Sequence, residues 1–257
     1  MDYASQKVFT DFSLMRLLST GCGMDLDNDI RSMIKILYGE KQLLGRKNQI
    51  KCFALSAACD DIECNKDKLP DKKITYDSTV EPYLLRSYVH PAEEDDKPIE
   101  EEDHIHTYQN GTSQIKVWEA MAATSAIPGA FDRVKVNVNG KSKVLADGSV
   151  CCNCPISVAL KEAQSIWPNR PIGVVLSFGI DSSQDDYAQA AIDSVRLNHP
   201  GLHYERIKIP EVQKYFCLET DKERIREMEE LVQGFMSSDE MRARMTTLLK
   251  KLHGQEV

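Results

Sequence analysis

The sequence predicts an α/β fold in which a central sheet is flanked by helices. Two short apolar runs, residues 51–58 and 172–178, have the length and composition of buried strands. A third stretch, residues 134–146, alternates apolar and polar side chains as a strand hairpin does. Helix-like runs separate these segments along the chain, and strands that alternate with helices are typical of a layered α/β domain.

The first fifty residues predict two helices. Apolar side chains recur at helical spacing at Phe9, Phe12, Leu14, Leu17 and Leu18, and again at Ile30, Met33, Ile34 and Leu37. Either Asp27 or Asn28 is a suitable cap for the second helix, because short polar side chains accept hydrogen bonds from its first backbone N–H groups.

Two strands and two loops are predicted over the next fifty residues. The strand over residues 51–58 is followed by a charged segment, residues 60–79, which favours a loop. Residues 81–89 combine apolar and aromatic side chains and predict a second strand. Residues 93–103 consist largely of Asp and Glu, and because blocks of like charge are usually solvated we expect an acidic surface loop there.

The middle of the chain predicts a helix, a hairpin and a second helix. Residues 115–123 are good helix formers. The hairpin turns at Asn139-Gly140, the preferred sequence for a two-residue type I′ turn. Pro155 then opens a helix that extends to Ile166, at the first-turn position that proline tolerates.

The C-terminal part predicts two more strands and then helices. The apolar run 172–178 favours a central strand buried on both faces. Residues 203–209 alternate like an edge strand, and residues 220–252 are helical and amphipathic.

Domain organisation and charge limit the classes of function. No internal repeat or linker divides the chain, so we expect an α/β domain over residues 1–210 and a helical extension over residues 211–257 that packs on it. The net charge of −8 repels nucleic acid and anionic membranes, which argues against a nucleic-acid partner.

The sequence also bears on location. No segment reaches the roughly 18 consecutive apolar residues that span a bilayer, so we expect no transmembrane segment. The N-terminal residues lack a basic region followed by an apolar core, so we expect no signal peptide and a cytoplasmic protein, with peripheral membrane contact left open. The eight cysteines are then expected to be reduced thiols. Nothing in the sequence indicates a cofactor.

Two short strings imitate ligand-binding motifs. Residues 140–142 (G-K-S) resemble the end of a phosphate-binding loop, but Lys135 stands where that loop needs its first glycine. Cys151, Cys152 and Cys154 are potential metal ligands, yet no second cysteine pair or histidine has zinc spacing. We therefore expect neither a nucleotide nor a metal site.

A third string imitates a nucleophile elbow. Residues 111–115 (G-T-S-Q-I) begin like G-x-S-x-G but end in isoleucine, and no apolar strand precedes them. Ser113 is therefore expected to cap the helix that starts near Ile115.

The most informative segment runs from Trp118 to Pro155. Residues 123–128 read A-T-S-A-I-P and are followed by Phe131; Asp147-Gly148 follows the hairpin; Asn153 and Pro155 precede the next helix. In this order the elements resemble the patatin-like phospholipases, which carry A-T-S-A-A-P and an aromatic residue, a hairpin, D-G-G or D-G-A, and then N-N-P. Shorter similarities support the resemblance at residues 51–58, 86–88 and 175–179.

This resemblance implies a layered fold with a central mixed sheet and a Ser–Asp dyad that hydrolyses lipid acyl esters. Asp147 matches the aspartate that acts as the base, and Gly148 matches the glycine of the D-G motif. A lipid ester is the implied substrate. Ser149 and Cys154 depart from the family pattern, which has glycine or alanine and a second asparagine at these positions.

The glycine-bearing motifs of the same family are absent. The 257 residues contain no Gly-Gly pair for an oxyanion loop and no G-x-S-x-G elbow. The nearest imitation, Ser19 in Leu18-Ser19-Thr20-Gly21, lacks the first glycine and follows a helical pattern. We therefore expect the N-terminal strand–elbow–helix unit to be missing, which should expose apolar surface on the sheet.

Three hypotheses remain open. The first is an acyl hydrolase present as an incomplete chain. The second is a pseudoenzyme that binds lipid or a protein through the old cleft, with Ile127, Phe131 and the acidic loop 93–103 as candidate contacts. The third is an unrelated α/β binding protein whose D-G turn is coincidental.

Overall fold

The computed structural model describes residues 24–45, 50–59, 80–91, 110–127, 131–138, 140–179, 184–209, 211–214 and 221–252. The chain divides into two compact units, Met1–Pro155 and Ile156–Val257. Both units combine strands with helices, which confirms the predicted α/β class with a mixed sheet. The predicted helix over residues 9–18 and the loops over residues 60–79 and 93–103 lie outside the described residues.

The first unit is built on a mixed sheet. Its strands are β1 (Phe53–Cys59), β2 (Glu81–Arg86), β3 (Gly111–Thr112), β4 (Val134–Val138) and β5 (Lys141–Asp147). Their spatial order is β3-β2-β1-β5-β4, so β1 lies in the centre. β1 is antiparallel to β2 and β5, β5 is antiparallel to β4, and β2 is parallel to β3.

The described part of this unit also contains helices α1 (Met24–Tyr38) and α2 (Val117–Thr124). α2 contacts β1, β4 and β5, and its alanine-rich sequence lets the helix approach the sheet closely. The core is formed by buried side chains of α2, the strands and the adjacent loops: Tyr83, Leu85, Ile115, Ala120, Ala122, Ala123, Ala126, Val134, Val136 and Leu145.

The hairpin prediction is confirmed. Val138 pairs with Lys141, so two residues connect β4 to β5, and Gly140 has a φ of +76°. Glycine adopts such a positive φ without steric cost, as the second position of a type I′ turn requires.

Both predicted helix caps are wrong. Asp27 and Asn28 lie inside α1, which already includes Met24. The N-cap of α2 is Lys116, whose backbone N–H donates to the Glu119 carboxylate at 3.0 Å. Ser113 is buried and lies outside the helix. The Glu119 side chain, three residues inside the helix, therefore satisfies the free N–H of Lys116, as the glutamate of a capping box does.

Strand β2 of the first unit does not show the expected apolar exposure. Tyr83, Leu84, Leu85 and Arg86 of β2 are all buried. The large exposed apolar side chains of the first unit lie outside the strands, at Ile36, Leu37, Tyr38, Leu44, Ile50, Val89 and Met121. The side chains of residues 83–86 of β2 therefore do not form an open apolar surface.

The second unit contains a β–α–β arrangement and further helices. Its elements are α3 (Ile156–Ile166), β6 (Val174–Gly179), α4 (Asp185–Arg196), β7 (His203–Lys208), α5 (Lys222–Met236) and α6 (Asp239–Leu252). β6 and β7 are parallel and form a separate two-stranded sheet. The prediction of a central strand buried on both faces is therefore wrong for β6, and Phe178 is 65% exposed.

Ion pairs connect α4 to β7 in this unit. Arg206 donates through Nε to Asp185 at 2.8 Å and through Nη1 to the Ser177 hydroxyl at 2.7 Å, and Lys208 also pairs with Asp185. The hydrogen bond from Lys208, helped by Arg206, holds the pKa of Asp185 below its ordinary value. Asp185 therefore joins the start of the helix to the end of the strand.

The helical extension predicted over residues 211–257 contains α5 and α6, separated at Ser237 and Ser238. Its status as a separate domain stays a prediction. In the described part of the chain, no helix has both the length and the apolar character needed to cross a bilayer.

Candidate active site

Asp147 is the last residue of β5 and the N-cap of a short 3-10 turn, Gly148–Val150. Its carboxylate Oδ1 accepts a hydrogen bond from the backbone N–H of Ser149 at 2.7 Å. The side chain is half-buried. A carboxylate held at a strand end by the turn that follows it has a fixed orientation and keeps access to solvent or substrate, which suits a general base.

The backbone of Asp147 connects the two segments that resemble the patatin-like family, residues 123–128 and residues 147–148. Its N–H donates to the carbonyl oxygen of Ala126 at 3.0 Å, and Ala126 belongs to the A-T-S-A-I-P string after α2. Ala126 and Asp147 are 21 positions apart in sequence and are adjacent in the structure. The A-T-S-A-I-P string therefore helps to position the end of β5.

Thr124 fixes the same string to the central strand. Its hydroxyl donates to the carbonyl oxygen of Leu55 in β1 at 2.6 Å. A hydrogen bond of this type typically stabilises a fold by about 1 kcal/mol. The C-terminal end of α2 is thus attached directly to the strand that pairs with β5.

Gly148 also contacts Leu55. A Cβ at position 148 would lie 2.4 Å from the Leu55 carbonyl oxygen and 2.8 Å from its carbonyl carbon, and both atoms belong to the backbone. Glycine is needed here for close approach of two backbones. The D-G motif is therefore packed against the same residue of β1 that Thr124 binds.

Ser56 lies directly opposite Asp147 in the pairing of β1 with β5. It is fully buried, and its hydroxyl is among the buried polar atoms that have no hydrogen-bond partner. An unsatisfied buried hydroxyl typically costs about 1–3 kcal/mol. One serine in an apolar strand does not reveal which residue it faces, so Ser56 is not among the site residues predicted from the sequence.

Comparison with known proteins identifies the family. The patatin-like phospholipase family model matches residues 12–160, more than half of the chain and a range that includes both strings of the site. The chain belongs to the patatin-like phospholipase family. The hypothesis of an unrelated α/β protein with a coincidental D-G turn is therefore wrong. The family takes its description from phospholipases.

Individual relatives match shorter segments. Calcium-independent phospholipase A2-gamma of Mus musculus is 34% identical over 76 residues, which are 30% of this chain and 9% of that protein. The Homo sapiens protein of the same name is 29% identical over 82 residues, or 32% of this chain and 10% of that protein. Phospholipase A I of Arabidopsis thaliana is 35% identical over 72 residues, or 28% and 5%. The matches therefore span a tenth or less of these relatives, and no solved structure matches the chain.

The remaining candidates of this patatin-like chain lie elsewhere or have other roles. Ile127 and Phe131 are half-buried, and the backbone N–H of Phe131 donates to the Ile127 carbonyl oxygen at 3.0 Å. Their role as contacts stays a prediction. Residues 140–142 lie in the hairpin. Gly111 belongs to β3, where a Cβ would lie 2.3 Å from the Arg86 guanidinium. Ser19 lies outside the described residues.

The three clustered cysteines do not converge. Cys151 Sγ lies 3.3 Å from the Gly148 carbonyl oxygen, Cys152 Sγ lies 3.1 Å from the Cys154 carbonyl oxygen, and Cys154 is buried. All three are free thiols. Among the residues that the structure describes, no three His, Cys, Asp or Glu side chains are grouped to hold a metal ion.

Proposed function

We propose that Asp147 is the catalytic base of a Ser–Asp lipid acyl hydrolase site. The observation that carries this proposal is the convergence of the two family strings on β1. Asp147 N–H binds the Ala126 carbonyl, while Thr124 and Gly148 both contact the Leu55 carbonyl. A catalytic carboxylate must be held in one orientation by its surroundings, and these contacts supply that support.

The chemistry of such a site assigns one role to the carboxylate. It takes the proton of a serine hydroxyl as the serine oxygen bonds to the ester carbonyl carbon, and it passes that proton to the departing alcohol. An acyl-serine remains. Water, activated by the same carboxylate, then releases the fatty acid and restores the serine hydroxyl.

We also propose that the 257-residue polypeptide alone does not turn over esters. None of its serines stands in a G-x-S-x-G elbow, and it contains no Gly-Gly pair for an oxyanion loop. Loss of one oxyanion donor typically raises the barrier by about 3–4 kcal/mol, and loss of the nucleophile removes the covalent route. Lipid binding without turnover is the second candidate function, favoured by the same absence.

A soluble ester and a serine-directed probe test these proposals together. The purified chain is expected to release no p-nitrophenol from p-nitrophenyl butyrate above the buffer rate, and a fluorophosphonate probe is expected to label no serine. Labelling would locate a nucleophile within these residues and contradict the second proposal.

The variants Asp147→Asn and Asp193→Asn separate the two proposals if labelling occurs. Asp193 is an exposed residue of α4 and serves as the matched control. Labelling that Asp147→Asn abolishes and Asp193→Asn preserves would support Asp147 as the base. Labelling that both variants preserve would show that Asp147 is not the base.

A further inference from the structure

A buried histidine in the second unit joins two loops. His199 lies in the turn between α4 and β7, and Ile172 lies in the segment that leads from α3 into β6. The backbone N–H of Ile172 donates to His199 Nδ1 at 3.1 Å. The two loops precede the paired residues Val174 and His203, so this hydrogen bond closes the end at which both strands begin.

The hydrogen bond fixes the protonation state of the ring. A backbone N–H can only donate, so Nδ1 must keep its lone pair, and the neutral ring then carries its proton on Nε2. The Gln164 amide nitrogen lies 3.3 Å from His199 Nε2. A half-turn of this amide brings its oxygen to the same position, where it accepts from Nε2–H. Gln164 can therefore adapt to the ring, whereas the N–H of Ile172 cannot.

Protonation of His199 would remove the acceptor of the Ile172 N–H. Both nitrogens of a charged imidazole are donors, so Nδ1–H and the Ile172 N–H would point at each other. Because His199 is buried, a charged ring in the closed turn would also lack the hydration that it has in water. The ring therefore takes up a proton when the two loops separate.

The described charged groups near the ring do not offset such a proton. The segments around the ring carry Lys161 and Glu162 in α3, Arg170 in the loop before β6, and Arg196 in α4. Within the described part of the chain, neither ring nitrogen of His199 forms an ion pair with any of them. Arg196 pairs with Asp193 at 2.9 Å instead. The contacts of the ring nitrogens are therefore an uncharged amide and a backbone N–H.

We propose that His199 is a pH-sensitive latch that holds the loops before β6 and β7 together at neutral pH and releases them in acid. The inference concerns the second unit alone and does not rest on the proposed function. Because the closed latch requires the neutral ring, its contribution is present above the pH at which a free imidazole titrates, about 6.5, and is lost below it. Uptake of one proton makes opening up to about tenfold more favourable for each pH unit below that value.

Amide hydrogen exchange of the full 257-residue chain, followed by NMR, tests the proposal. The measured quantity is the exchange rate of the Ile172 amide divided by that of the Ile225 amide. Ile225 N–H donates to the Asp221 carbonyl at 3.0 Å in α5 of the same unit, and the division removes the pH dependence that both amides share. The ratio is expected to rise about tenfold from about pH 7.5 to about pH 5.5.

Two variants identify the ring that is responsible. His199→Asn places an amide oxygen near the position of Nδ1, so it should accept from Ile172 at both pH values and abolish the rise. His203→Asn is the matched control, since it removes a neighbouring histidine, in β7, and should keep the wild-type rise. A constant ratio in the wild type, a rise that survives in His199→Asn, or a rise that is lost in His203→Asn would each overturn the proposal.

The ring signals of His199 provide a second measurement, which does not depend on whether His199→Asn folds. In the wild type, the imidazole C–H resonances of His199 must change over the same pH range in which the Ile172 ratio rises. Resonances that change over a different range would show that another group opens the loops, and the latch would be wrongly assigned.

Discussion

A methyl group at position 148 would have no room, because its carbon would lie 2.4 Å from the Leu55 carbonyl oxygen. The Leu55 carbonyl oxygen is a backbone atom and cannot rotate away, so the backbones of the D-G turn and β1 would have to separate. Overpacking of this kind typically costs about 1–3 kcal/mol. We therefore expect Gly148→Ala to lower the free energy of unfolding by about that amount in urea denaturation.

Gly173→Ala is the control for this experiment. A Cβ at position 173 would meet no atom within 4 Å, so the variant should unfold at the wild-type urea concentration or slightly above it. Equal stability of Gly148→Ala and the wild type would show that the D-G turn is not packed against Leu55 as described.

At the scale of single residues, the sequence predicts which residues belong to the candidate site better than it predicts what those residues contact. Asp147 and Gly148 were selected because their flanking strings resemble a family, and the fold brings those strings together. Their catalytic roles stay predictions. Ser56 was not selected, because its position opposite Asp147 depends on the register of two strands that are far apart in sequence.

Among the helices and strands, the Asp185 ion pairs provide a test that depends on pH. The hydrogen bond from Lys208 and the neighbouring Arg206 hold the pKa of Asp185 below its ordinary value of 3.8. A carboxyl with a lowered folded-state pKa stabilises the fold above its unfolded-state pKa, and this contribution is lost as the pH falls through the folded-state pKa. Asp185→Asn should therefore lower Tm at neutral pH, and the difference from the wild type should shrink below about pH 3.8.

Thermal unfolding of Asp185→Asn and Asp186→Asn measures this effect. Asp186 lies in the same first turn of α4 and is exposed, so both variants remove one acidic charge from the helix N-terminus. Any difference between them then reports the pairs with Arg206 and Lys208. Equal Tm values for the two variants from neutral to acid pH would contradict the assigned role of these pairs.

Elements with strong local patterns are those that the sequence predicted best. The β4–β5 hairpin follows from alternation and the Asn139-Gly140 turn, and both are local properties. β6 was correctly predicted as a strand but wrongly as a central one, because an apolar run does not specify its neighbours. The N-cap of α2 was not predicted, because lysine is not a preferred N-cap residue and Ser113 is the nearest preceding residue of a preferred type.

On the scale of the whole molecule, the residues that the family model matches nearly coincide with the first compact unit. The family model matches residues 12–160, and the first unit ends at Pro155. The candidate site is formed within this unit, by α2, β1 and β5. The sequence predicted no division at this point, because Pro155 opens a helix and no linker composition marks the change.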